Sequence, residues 1–246
     1  MRTDLVTMEP LPGPPVAILL ALTFVTGVLD ALAYLALGRV FTANITGNMV
    51  LLGFAAGGAQ GLSILRPAVA VVAFIAGALW GGRLFFRMKA SPLSRWAGSA
   101  FGMESALFLA ATIAAAGHGS EIAADTPRME IIALTAIAMG IRNATIRKLG
   151  VPDITTTLLT LSVTGLAVDS RIVGGTRTRW ARRTASVVAM LVGAAAGAWL
   201  LRSSVALPLA LCTAISALCA VAAYFRPLRF AQAALPDREP AESQAL

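Results

Sequence analysis

Carboxylates, a guanidinium and rows of amides and hydroxyls stand inside stretches that are otherwise apolar enough to cross a bilayer. Asp30 lies within GVLDALAYLALGRVFTANITGNMVLLG, Gly27 to Gly53. That stretch breaks at Leu37-Gly38-Arg39 and restarts through Thr42, Asn44, Thr46 and Asn48. Glu104 sits near the middle of another apolar run, and Arg142 in a third. Polar and charged groups cost several kcal/mol in hydrocarbon, so they persist there when protein or water surrounds them. The chemistry they offer is recognition of a small polar or anionic solute, with Asp30 and Glu104 as candidates for a coupling proton and Arg142 as a pairing cation.

Catalysis and metal binding find no such support. Ser162 and Thr164 are hydroxyls within an apolar run, but no membrane-embedded His or Lys accompanies them as a base, so no enzyme is expected. His118 is the single histidine, and no metal-ligand cluster or cofactor motif occurs. Cys212 and Cys219 share one face of a helical run, about 10 Å apart by helix rise, which is too far for a disulfide.

Farther along, the polar pattern returns. In GIRNATIRKLGVPDITTTLLTLSVTG, Gly140 to Gly165, Asn143 stands where the first copy has Asp30, and Arg142 precedes it. The chain breaks at Leu149-Gly150, restarts through Thr155, Thr156 and Thr157, and ends in Thr164-Gly165 as the first copy reaches Thr46-Gly47. Thr156, Thr160 and Thr164 recur every fourth residue and form one hydroxyl stripe on a helix. Thr42, Asn44, Thr46 and Asn48 alternate, so they share one face only in an extended stretch. A further pair of elements matches: Gly77 and Gly81 in AGALWGG, Gly193 and Gly197 in VGAAAGA. Small residues four apart let helix backbones approach closely. The pattern predicts an internal duplication, and a pairing of Asp30 with Arg142 across the two copies.

The elements that must position these groups are membrane helices. The chain is 57% hydrophobic and 13% charged, with a mean hydropathy of +0.78. Soluble domains carry roughly 25% charged residues. Eight apolar runs are visible, at about 15–37, 41–60, 64–86, 95–117, 129–148, 153–169, 184–201 and 204–225. They make one transmembrane domain, 15–225, between a proline-containing lead-in (1–14) and a polar tail (226–246). The lead-in lacks the features of a cleaved signal peptide, so the first run is expected to stay.

Charge placement sets the topology. Arg83, Arg87, Lys89 and Arg95 follow run three, Arg147 and Lys148 end run five, and Arg171, Arg177, Arg179, Arg182 and Arg183 follow run six. Cytoplasmic loops collect Lys and Arg, and both ends of run six cannot be cytoplasmic if it spans. The expectation is therefore an all-α polytopic membrane protein of two inverted repeats, 15–117 and 129–225. Six full crossings are joined by two re-entrant or broken helices, with both termini cytoplasmic; eight full crossings are the alternative. Asp153 and Asp169, near the ends of run six, are expected to face water or cap helices. The net charge of +8 belongs to these loops and not to a nucleic-acid surface. The basic string Arg177 to Arg183, with Trp180, anchors on anionic lipid.

The two long motif blocks, with MGIRNATIRKLGVPDITTTLLTLSVTGLAVDS as the second, resemble the YoaK family of bacterial integral membrane proteins, a family of unknown function. The resemblance spans about residues 15–225 and implies a bacterial inner-membrane protein; it implies no substrate. Inverted repeats with interrupted helices are the layout of many secondary transporters, whose sites lie at the breaks. The leading expectation is a secondary transporter of a small polar or anionic solute. Asp30, Thr42, Asn44, Thr46, Asn48, Asn143, Thr156, Thr160 and Thr164 would line its site. A non-transporting membrane component, an assembly partner or lipid-interacting protein, is the other reading.

Overall fold

The structure, a computed structural model, describes residues 16–118, 125–149, 163–164 and 177–225. Seven helices are seen among the described residues: α1 (Val16–Leu35), α2 (Ile45–Ala56), α3 (Leu65–Arg87), α4 (Leu93–His118), α5 (Asp125–Leu149), α6 (Arg177–Leu200) and α7 (Ala206–Phe225). Six of them are long and apolar enough to cross a bilayer. The seventh, α2, has 12 residues, a length of about 18 Å against a hydrocarbon core of about 30 Å.

Two apolar clusters mark the two ends of the bundle and fix the direction of each helix. One joins Ile18, Leu19 and Leu22 of α1, Trp96 and Phe101 of α4, Ile146 and Leu149 of α5, and Cys219 and Ala223 of α7, with Leu84 and Phe85 of α3 against it. The other joins Leu32 and Ala33 at the far end of α1, Ala70 of α3, Ala111 and Ala115 of α4, Ile131 and Ile132 of α5, and Leu209 of α7. So α1 and α4 run from the first end to the second, while α3, α5 and α7 run back. Because α1 finishes and α3 begins at the same end, α2 does not cross between them. Eight full crossings are therefore excluded by the return of the chain through α2. At the opposite end α5 finishes and α6 begins. Run six, which joins them, lies outside the described residues apart from Val163 and Thr164.

The connection from α1 to α2 shows how the chain turns back. Gly38 (φ +96°) and Arg39 (φ +59°) both take left-handed backbone, which costs a glycine nothing and is uncommon for arginine. A Cβ at Gly38 would overlap the Arg66 guanidinium, which rests on the turn and bonds Asp125 at the start of α5 (2.7 Å). Val40 and Ala43 then tuck into the second apolar cluster.

Helix pairing follows the small residues. The closest partners are α4 with α7, α3 with α5, and α1 with α6. A Cβ on Gly27 of α1 would overlap the Met190 carbonyl and crowd the Ala194 amide of α6; on Gly140 of α5 it would overlap the Phe74 carbonyl and crowd the Ala78 amide of α3. In return, Gly193 meets the Phe24 carbonyl and Gly77 the Ile137 carbonyl. Gly197 meets Val28 and Ala31, as Gly81 meets Ile141 and Ala144. One constant displacement along the chain carries every α1 residue named here onto its α5 counterpart, and a second carries α3 onto α6. Both crossings are parallel. In membranes, where apolar burial does not itself drive association, such backbone contact supplies dispersion energy.

The glycine pairs of α3 and α6 therefore do not face each other; each receives the first helix of the other half of the chain. The outward faces of α3 and α6 carry Val72, Ile75, Trp80, Leu191 and Trp199, all more than half exposed and suited to lipid. The first end of the bundle gathers Arg83, Arg87, Lys89, Arg95, Arg147, Lys148, Arg182 and Arg183; the second holds Arg39, Arg66, Arg128 and Arg202 beside Asp125 and Glu130.

Candidate functional site

Between the two apolar clusters lies a fully buried charge network. Arg142 projects from α5 with no exposed surface and meets Glu104 of α4, also fully buried. Its Nε donates to Glu104 Oε2 (2.9 Å) and its Nη2 to Oε1. Nη1 donates to the Leu22 carbonyl (2.8 Å) and the Thr26 hydroxyl (3.1 Å) of α1. Nη2 also reaches Ser216 Oγ of α7 (3.4 Å), and that hydroxyl donates to Glu104 Oε1 (2.6 Å). The Phe108 ring lies 5.9 Å from the guanidinium carbon. All five N–H donors of the arginine thus find acceptors.

Local helix chemistry makes this possible. Leu22 and Thr26 are one turn apart, and the Thr26 hydroxyl donates back to the Leu22 carbonyl (3.0 Å), leaving its lone pairs for Arg142. On α7 the buried stripe Leu209, Cys212, Ser216, Cys219 and Ala223 points inward. Both thiols are free and buried, as their spacing requires. Helices α1 and α5 are not among the closely packed pairs, and the long Arg142 side chain reaches across from one to the other. Moving each ion out of water costs several kcal/mol, recovered when the geometry satisfies every donor and acceptor.

The expected pairing of Asp30 with Arg142 is not formed. Asp30 continues the Leu22–Thr26 stripe of α1, about 6 Å farther along the helix than Thr26, and Nη1 is already taken by those two residues. Glu104, opposite on α4, is the carboxylate within reach of the other two nitrogens. Asp30 is partly buried, and its Oδ1 is enclosed without a hydrogen-bond partner among the described residues. Its counterpart Asn143 is partly buried on α5 and donates to the Met139 carbonyl (2.8 Å).

The alternating polar residues of the first break separate into different roles. Asn48 is fully buried and clips the turn, accepting from the Phe41 amide (2.9 Å) and donating to the Phe41 carbonyl (2.6 Å). Asn44 is exposed and caps α2, its Oδ1 accepting from the Gly47 amide (3.1 Å). Thr46 is exposed, whereas Thr42 is buried with its hydroxyl unpartnered among the described residues. They do not form one polar face, because α2 begins at Ile45, in the middle of the series. Thr156 and Thr160 lie outside the described residues; Thr164 is exposed.

Sequence reasoning overlooked Thr26 and Ser216. Thr26 precedes Asp30 by one turn, and Ser216 lies between the two cysteines on their helix face, which are the signals that point to them. It also overlooked the tie of α4 to α7 beside the network, where Ser105 donates to the Thr213 carbonyl (3.0 Å) and Thr112 meets the Thr213 hydroxyl (3.3 Å).

Comparison with known proteins finds relatives of this chain. The UPF0700 transmembrane protein YoaK of Bacillus subtilis (strain 168) is 34% identical over 152 residues, which cover 61% of this chain and 64% of that protein. No solved structure matches. From residue 18 to residue 222, through all six long helices, the chain fits the model of the family described as "Protein of unknown function (DUF1275)", and it belongs to that family.

Proposed function

We propose that this protein is a secondary transporter of a small polar or anionic solute, built from two inverted repeats, residues 15–117 and 129–225. The observation that carries the reading is the residue-for-residue match between the α1·α6 and α3·α5 crossings. Since α1 and α5 run in opposite directions, a duplication relating them inverts one half relative to the other. Transporters of this layout hold solute where the repeats meet. Here that place is where α1 faces α5, spanned by Arg142 and flanked by Glu104 and Asp30. Thr42 and Asn143 are assigned to the lining with Asp30; Thr46 and Thr164 are exposed, and Thr156 and Thr160 lie outside the described residues. Asn44 and Asn48 hold the first break in shape. No catalytic step is assigned.

The bundle end rich in Arg and Lys is assigned to the cytoplasm of a bacterial inner membrane. Both termini then face the cytoplasm, because α1 starts and α7 finishes at that end. A test uses the full chain in liposomes loaded with a pH-sensitive dye and challenged with a panel of small organic anions and polar solutes. Wild type is expected to move protons with at least one of them, and Asp30→Asn to purify folded while that response is lost. The second reading, a non-transporting membrane component, rests on the saturation of the Arg142 network, which suits a structural rivet. It wins if no solute moves and Asp30→Asn lowers stability.

A further inference from the structure

We infer that Arg142 is the anion-binding group of this protein, and that Glu104 is an internal carboxylate holding the place of a small monocarboxylate substrate. The inference rests on the transporter reading and specifies its substrate class and its coupling.

The surroundings of Glu104 are those of a bound carboxylate. Oε2 accepts from Nε, while Oε1 accepts from Nη2 and from the Ser216 hydroxyl. A side-by-side guanidinium match is the strong, directional form of carboxylate recognition. What it grips here is a carboxylate on a flexible two-carbon stem, so a ligand the size of formate or acetate meets the same donors if the stem swings aside. The grip is anchored away from Glu104 by Nη1 on Leu22 and Thr26. Arg142 therefore keeps its position on α1 when its carboxylate partner changes.

Charge balance dictates the exchange. Arg142 and Glu104 together are neutral, and a second anion added beside them would leave one uncompensated negative charge in a site without water-exposed surface. The balanced step is that Glu104 takes up one proton and releases Arg142, which then binds one carboxylate. The site is neutral before and after, and proton and anion enter together. Among the described residues, the other ionisable groups facing this pair are the Cys212 and Cys219 thiols of α7. From α1 come the Leu22 carbonyl and the Thr26 hydroxyl, with Asp30 one turn farther along. Among the described residues, none of these is a second cation that could hold an extra anion.

Location favours exchange over a static rivet. Arg142 touches α1, α4 and α7 from α5, and so joins the two glycine-welded pairs, α1·α6 and α3·α5. Changing its carboxylate partner alters its tie to α4 and α7 while its tie to α1 holds.

The test measures acetate and formate binding to the detergent-purified full chain by calorimetry between pH 5 and 8, with chloride at equal ionic strength as control. Wild type is expected to bind acetate roughly tenfold more tightly for each pH unit lowered, with one proton taken up per acetate. Glu104→Gln is expected to bind more tightly and without that slope. The double variant Arg142→Met/Glu104→Leu is expected to fold and to bind none. Wild type indifferent to both anions at every pH overturns the proposal, as does binding that survives in the double variant. If Glu104→Gln does not fold, the wild-type slope and the double variant decide alone. Acetate binding without flux in liposomes sinks the transporter reading and leaves this site standing; solute flux that survives in the double variant does the reverse.

Discussion

Alanine in place of Gly27 or Gly140 is expected to destabilise the protein by about 1–3 kcal/mol each, the range for overpacking a closed contact, and leucine at either position to prevent folding. A Cβ on Gly27 overlaps the Met190 carbonyl, and on Gly140 the Phe74 carbonyl. These obstacles are backbone, so no rotamer change relieves them and the two helices must move apart. Gly77 and Gly193 are expected to behave alike, since each receives a carbonyl from the partner helix. Gly82 and Gly102 have open space where a Cβ would go, and alanine there is expected to be neutral. Thermal unfolding in detergent reads the series. Similar losses at counterpart positions are the signature of a duplicated crossing; a loss at Gly27 with none at Gly140 would count against it.

The second large effect belongs to the buried ion pair. Arg142→Met alone leaves Glu104 buried without its guanidinium, and Glu104→Leu alone leaves the arginine without its carboxylate. Removing one partner of such a pair costs about 3–5 kcal/mol, whereas replacing both by apolar groups of similar volume is often neutral or stabilising. The single variants are therefore expected to lose most of their yield of monodisperse protein, and Arg142→Met/Glu104→Leu to recover it. Mild single variants would mean that water or another group reaches the site. A double variant no better than either single one would mean that Leu22, Thr26 and Ser216 depend on the arginine for their own placement.

Much of the architecture was legible from composition alone. Runs at 15–37, 64–86, 95–117, 129–148, 184–201 and 204–225 correspond to α1, α3, α4, α5, α6 and α7 within a few residues at most ends, because hydrocarbon demands continuous apolar helix. The return of the chain through α2 was legible from the conflict between arginine placement and eight crossings. The length of α2 was less so. The apolar run spans 41–60, but Gly38 and Arg39 turn the chain and Asn48 clips it, delaying the helix to Ile45. The glycine spacing told which faces of α3 and α6 are thin, but not which helix fills them. That depends on topology, and the answer was the first helix of the opposite half.

The partner of Arg142 was not legible for a related reason. The proposed duplication sets Arg142 beside the counterpart of Asp30, which suggests that these two meet. The depth of each residue along its helix decides otherwise: Leu22 and Thr26 take one edge of the guanidinium, and Glu104, on a helix between, takes the other. Periodicity records the face a residue occupies, not its height against a helix of unknown stagger.

The central claim, that the chain is folded as two halves of opposite orientation, is tested most directly by single-cysteine labelling in the background Cys212→Ala/Cys219→Ala. Ala36→Cys and Ala59→Cys flank α2, Lys148→Cys ends α5, and Thr184→Cys lies in the first turns of α6. With a membrane-impermeant thiol reagent, the first two are expected to label from one side. The last two are expected to label from the other side, with Lys148→Cys and Thr184→Cys protected in intact cells and reactive in inverted vesicles. Labelling of Ala36→Cys and Ala59→Cys from opposite sides would mean that α2 crosses, that the two halves run in the same direction, and that the inverted-repeat account is wrong.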